Sequence, residues 1–336
     1  EMPKKYNINK GYIIGPGVNL EGANLQGANL EGAYLPDVNL IKTNLKGANL
    51  KGALLQGAYL PEVNLYNTNL KGAHLEGADL RWAILEGATL EGANLQGAKL
   101  KGSKLYNTNL QSAKLQGANL EGADSIKTNL TEADLTRADL SHANLIRANL
   151  TKANLTGANL EGANLENAKL EEADLEGASL LNAKLGEAKL INADLRGADL
   201  RGAFLPDADL EGAILIKTRL QGAILTKADL YKAYLEGANL QNANLQGADL
   251  RLARFFEANL RGANLKGAKY NDNTLFPEGF NPQQRGLVRI NNFGKKRKRK
   301  QVKRKRKQVK RKRKKVKRKR KKVKRKRKKL KQGKKK

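Results

Sequence analysis

Cysteine is absent from the 336 residues, which rules out disulfides and cysteine-metal sites and leaves the redox compartment open. Histidine is nearly absent, with only His74 and His142. No apolar run approaches the 18 or so residues of a membrane-spanning helix. Residues 1–17 (EMPKKYNINKGYIIGPG) hold no signal-peptide apolar core, so no secretion signal is expected. Acidic residues are missing from one stretch altogether. After Gly294 there is no Asp or Glu, yet 33 of the chain's 65 Lys and Arg lie there. The other 32 are balanced by 32 Asp and Glu, so the net charge of +33 belongs to the end of the chain and the body is neutral.

What is abundant is one five-residue pattern, A-[N/D]-L-x-x, repeated 51 times from Val18 to Tyr270 without an inserted or deleted residue. Counted in steps of five from Leu20, the central residue is Leu in 48 copies, the exceptions being Ser125, Phe255 and Tyr270. Two residues earlier stands Ala in 42 copies, otherwise Val, Thr or Ser. On an α-helix five residues advance about 500°, so successive leucines would step round the axis by roughly 140° and leave no apolar face. In a flat strand an odd spacing throws each Leu to the opposite side. The chain must therefore bend once per repeat. If it bends the same way each time, every Leu and Ala points to one axis and the other three positions face water. Those positions are rich in Asn, Asp and Gly, which tolerate turn backbones, and coils so closed can stack with backbone hydrogen bonds between them.

The runs NLEGANLQGANLEGA and ADLTRADLSHANLIRANL resemble the pentapeptide-repeat proteins over about three quarters of the chain. The resemblance implies an all-β fold, a right-handed quadrilateral β-helix with four pentapeptides per coil and Leu and Ala inside. The 51 copies then make twelve to thirteen coils, a rod of roughly 60 Å. The segment NDNTLFPEGFNPQQRGLV is similar to closing segments found after such repeats. The expected organisation is an N-terminal cap at 1–17, the β-helix at 18–270, a C-terminal cap at 271–293 and a disordered basic tail at 294–336. Solenoid ends expose apolar interior and strand edges, and so need covers. Tyr12, Ile13 and Ile14 are the expected N-terminal plug. Phe276, Phe280, Leu287, Ile290 and Phe293 are the expected C-terminal cap, with Asn281-Pro282 able to start a short helix.

The tail repeats a heptad with one apolar residue per copy, Val302, Val309, Val316, Val323 and Leu330. A coiled coil needs two, and like charges at i, i+4 oppose an isolated helix, so an extended polycation is expected. Its candidate polyanion-binding residues are Lys296, Arg297, Lys298, Arg299, Lys303, Arg304, Lys305, Arg306, Lys310, Arg311, Lys312, Arg313, Lys317, Arg318, Lys319, Arg320, Lys324, Arg325, Lys326 and Arg327. With no aromatic residue to stack on bases and no folded element to read a groove, binding to nucleic acid or another polyanion should be sequence-nonspecific. KKRKRK runs also resemble nuclear-localisation signals, relevant where the host has a nucleus. The expected location is cytoplasmic or nucleic-acid-associated, including a virion.

With four repeats per coil, residues 20 apart stack. Tyr66, Tyr106, Ile126 and Ile146 then share one outward column, Glu86 fills the rung between the tyrosines, and Ile84 lies on the same face. Such a ladder either marks a protein-binding face or only stabilises the sheet. Ser125 leaves a hole at a Leu site unless Ile126 swings inward. Ser141-His142, the acidic band Glu161, Glu166, Glu171, Glu172, Asp174 and Glu176, and the pairs Thr131/Thr151 and Thr136/Thr156 read as ordinary surface. No catalytic, cofactor or metal site is expected, because a rod filled by Leu and Ala has no cleft that excludes water. The expected function is a non-enzymatic scaffold tethered to nucleic acid by its tail. The alternative, implied by the family resemblance, is a DNA mimic that modulates a type II topoisomerase. That role needs an acidic rod, whereas Lys99, Lys104, Lys114, Lys169, Lys184, Lys189, Arg219 and Arg254 stand before Leu.

The unbroken frame predicts β-type circular dichroism with almost no helix, and loss of stability when a single residue is inserted after Leu160, because every later Leu is turned out of register. A thermal melt of the insertion variant that matches the parent would count against the frame.

Overall fold

The computed structural model describes residues 7–9 and 11–290, in which each coil takes 20 residues and has four sides. The residue before each Leu bridges in parallel to its counterpart 20 positions on, in an unbroken series from Asn19↔Asn39 to Asp249↔Lys269. The tail residues Lys296 to Arg327, the remainder of the tail from 294, residues 1–6 and Phe293 lie outside the described residues.

Every corner is the same turn. The carbonyl of Leu20 accepts a hydrogen bond from the N–H of Ala23 at 3.0 Å, and this i to i+3 bond recurs along the rod. The second residue after the core position has φ between 51° and 70° in the 50 repeats from Leu20 to Leu265, and the first never has positive φ, which defines a type II turn. Glycine fills 25 of these corner positions, where it carries no Cβ penalty. The other 25 do carry a Cβ, at a cost of about 1–2 kcal/mol each where Asn or Asp is not used. The coil imposes the left-handed conformation on Lys, Glu, Trp82 and Leu252 alike.

Accounting for the five N–H groups of a repeat explains the Asn/Asp preference. The Leu, the second turn residue and the residue before Leu each donate to a neighbouring coil, as Leu25 to Asn44 O (2.8 Å), Gly27 to Lys46 O (2.9 Å) and Asn44 to Ala23 O (2.9 Å). The Ala N–H closes the turn. Only the residue after Leu has an N–H that the backbone leaves over, and the Asn or Asp side chain two places earlier accepts it, as Asn19 Oδ1 does from Glu21 N at 3.1 Å. Where Pro occupies that position there is no N–H to cap. At Pro36, Pro61 and Pro206 the residue two places earlier is Tyr34, Tyr59 and Phe204, an aromatic in place of the capping residue. The proline costs no ladder bond and suits the first turn position.

The interior holds Leu and Ala from all four sides, nearly all with essentially no exposure. Threonine at an Ala site hides its hydroxyl by donating to a Leu carbonyl of the preceding coil, as Thr43 Oγ1 does to Leu20 O and Thr218 Oγ1 to Leu195 O. Ser125 does not manage this. Its side chain is fully buried and its Oγ has no partner, while Ile126 stays half-buried at the corner instead of turning in. Around it the capping rule fails: the Oδ1 atoms of Asp124 and Asn144, one coil apart, are also buried without partners.

At the N-terminal end β1 (Asn7–Asn9) pairs antiparallel with β2 (Tyr12–Ile14). Tyr12 and Ile14 pack on the core. Ile13 does not belong to the plug: alternation along the strand turns it outward, and it is 60% exposed. At the other end β3 (Lys269–Tyr270) pairs in parallel with β4 (Val288–Arg289). Phe255, one of the departures from Leu, stacks on Phe276 (5.7 Å), which in turn stacks on Phe280 (4.8 Å), and Tyr270 meets Phe276 edge-on. Leu287 is buried and Ile290 half-buried. Asn281 Oδ1 accepts from Gln283 and Gln284 N–H as a cap would, but only one turn follows in place of a helix, ended by Gly286 with φ 74°.

Ser125→Leu should stabilise the rod by on the order of 1 kcal/mol or more, since it fills an under-packed core position and removes an orphaned hydroxyl. A rise in melting temperature is the expected reading; a fall would mean that the neighbouring coils leave no room.

Candidate interaction surfaces

The outward column foreseen from the 20-residue spacing is assembled. Carbonyls of Tyr66, Glu86, Tyr106, Ile126 and Ile146 each accept a bond from the preceding coil (Gly47, Asn67, Gly87, Asn107 and Lys127 N–H), which stacks the five rung by rung. Ile84 shares the face, bridging Asn64 and Lys104. Tyr66 and Tyr106 are about one third exposed, and Ile84, Ile126 and Ile146 are half-buried. Each tyrosine is attended by a lysine: Lys46 Nζ lies 5.3 Å from the Tyr66 ring centre, and Lys127 Nζ lies 5.2 Å from that of Tyr106 while donating to its hydroxyl at 3.0 Å. That bond and the charge behind it hold the Tyr106 phenol below its ordinary range. The orphaned Asp124, Ser125 and Asn144 atoms belong to the same face.

Sequence reasoning missed two further surfaces. In the C-terminal third, Phe204 and Ile224 stack on one side, and Ile214 and Tyr234 on another, at the position where Asn or Asp usually stands. Ile214, Ile216 and Tyr234, with Asn192, Gly212 and Lys232, line an open groove of about 510 Å³. In the N-terminal third Tyr59 and Trp82 are 43% and 52% exposed. The available signal was a large apolar residue in place of the capping Asn or Asp, as at Tyr59, or of the corner residue, as at Trp82.

Several charged groups are paired across or along coils. Asp79 is held by Arg81 (Nη2 to Oδ2, 2.6 Å), and Asp199 by Arg201 (2.7 Å) and by Arg219 of the next coil (2.9 Å). Hydrogen bonds from Arg201, opposed by burial and aided by its backbone N–H and the Arg219 charge, hold the Asp199 carboxyl below the usual range. Within the acidic band Glu176 meets Arg196 at 2.7 Å and Glu172 meets Lys152 at 3.6 Å. Asp174, Glu176 and Asp194 gather their carboxylates, but Arg196 already bridges Glu176 and Asp194. Thr131, Thr136, Thr151 and Thr156 donate to the Asn or Asp of their own turns. His74 contacts Glu76 at 3.1 Å; the His142 ring lies beside Gly162, and the Ser141 N–H goes to Asp139. The longest run of acids stacked in one bridging column is Asp209, Asp229 and Asp249, with Lys189 before it and Lys269 after it.

A four-sided coil with one type II turn per five residues and a Leu/Ala interior defines a right-handed quadrilateral β-helix. The family described as "Pentapeptide repeats" matches in overlapping blocks from residues 17–52 to 233–269, leaving only 125–127 unmatched between them. The chain belongs to the pentapeptide-repeat family. Among solved structures it is similar to HetL, a pentapeptide repeat protein involved in heterocyst differentiation regulation from the cyanobacterium Nostoc. That likeness has 33% identity over 69% of this chain and 89% of the other, with a TM-score of 0.35. It is also similar to QnrB1, a plasmid-mediated fluoroquinolone resistance protein, with 21% identity over 56% and 90% of the two chains and a TM-score of 0.34. The pentapeptide repeat protein Rfr23 from the cyanobacterium Cyanothece is 31% identical over 37% and 90%, with a TM-score of 0.21. No curated protein matches the chain.

Because its folded pKa is lowered, Asp199 contributes stability that is fully present above the unfolded value near pH 4 and is lost as pH falls through the folded value. Arg201→Gln should move that carboxyl back toward its ordinary value, with Arg219 retaining part of the effect, and should shrink the acid-dependent loss of melting temperature. Carboxyl NMR titration of the two proteins checks both the direction and the assignment.

Proposed function

We propose that the protein is a non-enzymatic interaction rod, tethered by its basic tail to nucleic acid or another polyanion, with the Tyr66–Ile146 face meeting a second protein. The observation that carries this reading is the division of charge, 33 cations and no acid after Gly294 against a neutral body. At one phosphate per about 1.7 Å of duplex axis, such a tail matches roughly 55 Å of DNA, and counterion release makes its binding steeply salt-dependent. Supporting the protein contact is an aligned, part-exposed apolar column on a rigid face. An interior filled by Leu and Ala offers no enclosed site for chemistry. Assemblies such as a virion, a nucleoid or a chromatin-like particle are the setting this combination suits. A DNA mimic acting on a type II topoisomerase is less well supported, since a phosphate-like stripe must run on through many coils and the stacked acids here stop after three.

Deleting residues 295–336 should abolish binding to DNA and RNA while leaving the thermal transition in place, and binding by the full chain should fall by orders of magnitude from low to moderate salt. Replacing Val302, Val309, Val316 and Val323 by Ser should matter little for an extended polycation. Electrophoretic mobility shifts read all three. Retained binding by the truncated rod, or no binding by the full chain at low salt, would overturn the tether.

A further inference from the structure

We propose that the corner carrying Trp82 is a stacking platform for the unpaired bases of single-stranded nucleic acid, an inference that rests on the polyanion reading above. Trp82 is the chain's single tryptophan, and it is 52% exposed. Its backbone sits at φ 56°, in the left-handed region that a bulky residue rarely occupies. Glycine serves that corner in about half of the repeats, so the fold itself asks for nothing larger. The conformation is shared with the other 24 non-glycine corners; what sets this one apart is an exposed indole where the fold needs no large side chain.

The surroundings fit a base. The ring lies along Gly102 of the next coil, where an added Cβ would come 2.7 Å from Cδ1 and 2.8 Å from Nε1. The glycine therefore supplies the space in which the indole lies down. Tyr59, 43% exposed, stands on the adjoining side and bridges Asp79. Arg81 lies between the two aromatics: its guanidinium is fixed to Asp79 (2.8 and 2.6 Å) and its Cζ is 5.6 Å from the Trp82 ring centre. In the next coil Lys99 bridges Asp79, and the Lys101 carbonyl accepts the Trp82 N–H at 3.0 Å. Lys101 is itself paired with Glu121, and Glu62, in the same corner one coil earlier, with Lys42. Adjacent exposed aromatic faces are what sequence-tolerant single-strand binding uses, since every base has a π-face; Arg81 and Lys101 are already held by Asp79 and Glu121, so stacking rather than local charge carries the site. A duplex has its bases already stacked on each other and can offer this platform only its backbone.

Because Trp82 is unique, its emission reports the site in the full chain without a label. Full-length protein is titrated at low salt with a short oligothymidylate, a blunt duplex of equal length and heparin. The expected result is binding of all three by the tail, with quenching of Trp82 by the oligothymidylate alone. Trp82→Gly, which suits the backbone and should melt no lower than the parent, should weaken oligothymidylate binding roughly tenfold relative to the duplex, the loss of one stacked base. Trp82→Phe should keep most of it. Oligothymidylate binding with unchanged emission, equal quenching by duplex and heparin, or parental affinity in Trp82→Gly would each overturn the platform and leave the tether standing. Failure of all three polyanions to bind would overturn both.

Discussion

The corner residue with positive φ is the constraint on which the rest of the rod depends. Each corner redirects the chain so that five residues complete one side and the next Leu points to the same axis. Only then do the bridging residues fall 20 apart, and only then do three of five N–H groups meet carbonyls of a neighbouring coil. The interior follows from the corner, because Leu and Ala stack as they do only when every side has equal length. Half of the corners lack glycine, so the coil geometry, shared by many neighbours, outweighs a local preference of about 1–2 kcal/mol.

A second layer of specification comes from one leftover N–H per repeat. The Asn or Asp before Leu serves it, and where Pro removes it the same position goes to Tyr34, Tyr59 or Phe204. This ties the surface to the backbone. A position released from capping is free to carry an aromatic ring, and one of these three, Tyr59, flanks the Trp82 corner. Lys, Ile and Arg at the same position cap nothing, and there the side chain carries charge or apolar surface instead.

The sequence made the frame, the core and the stacked Tyr66–Ile146 column legible, since a strict period of five leaves few geometries and 20-residue spacing then sets each neighbour. The role of Asn and Asp was only half legible: their turn tolerance could be read, but the N–H they cap is visible only once each backbone donor is assigned. Ile13 was misread because plugging was assigned to a run of three residues, whereas a strand buries alternate ones. The C-terminal helix start was read correctly as a cap and wrongly as a helix, since Gly286 closes the turn at once. The apolar sides around Ile214 and Trp82 escaped notice because single large residues among 51 similar repeats look like variation until burial distinguishes them.

The fully buried Ser125, with Asp124 and Asn144 beside it, has a mechanical meaning. Coils here touch only the coils before and after them, so the rod behaves as a linear array whose cohesion is the sum of its junctions, and a pull on its ends is carried by each junction in series. Three orphaned polar atoms and a missing Leu side chain fall within two successive junctions about two fifths of the way along. A rod loaded this way parts at its weakest joint, and five of the eight buried polar atoms without a partner among the described residues lie between Ser103 and Asn144.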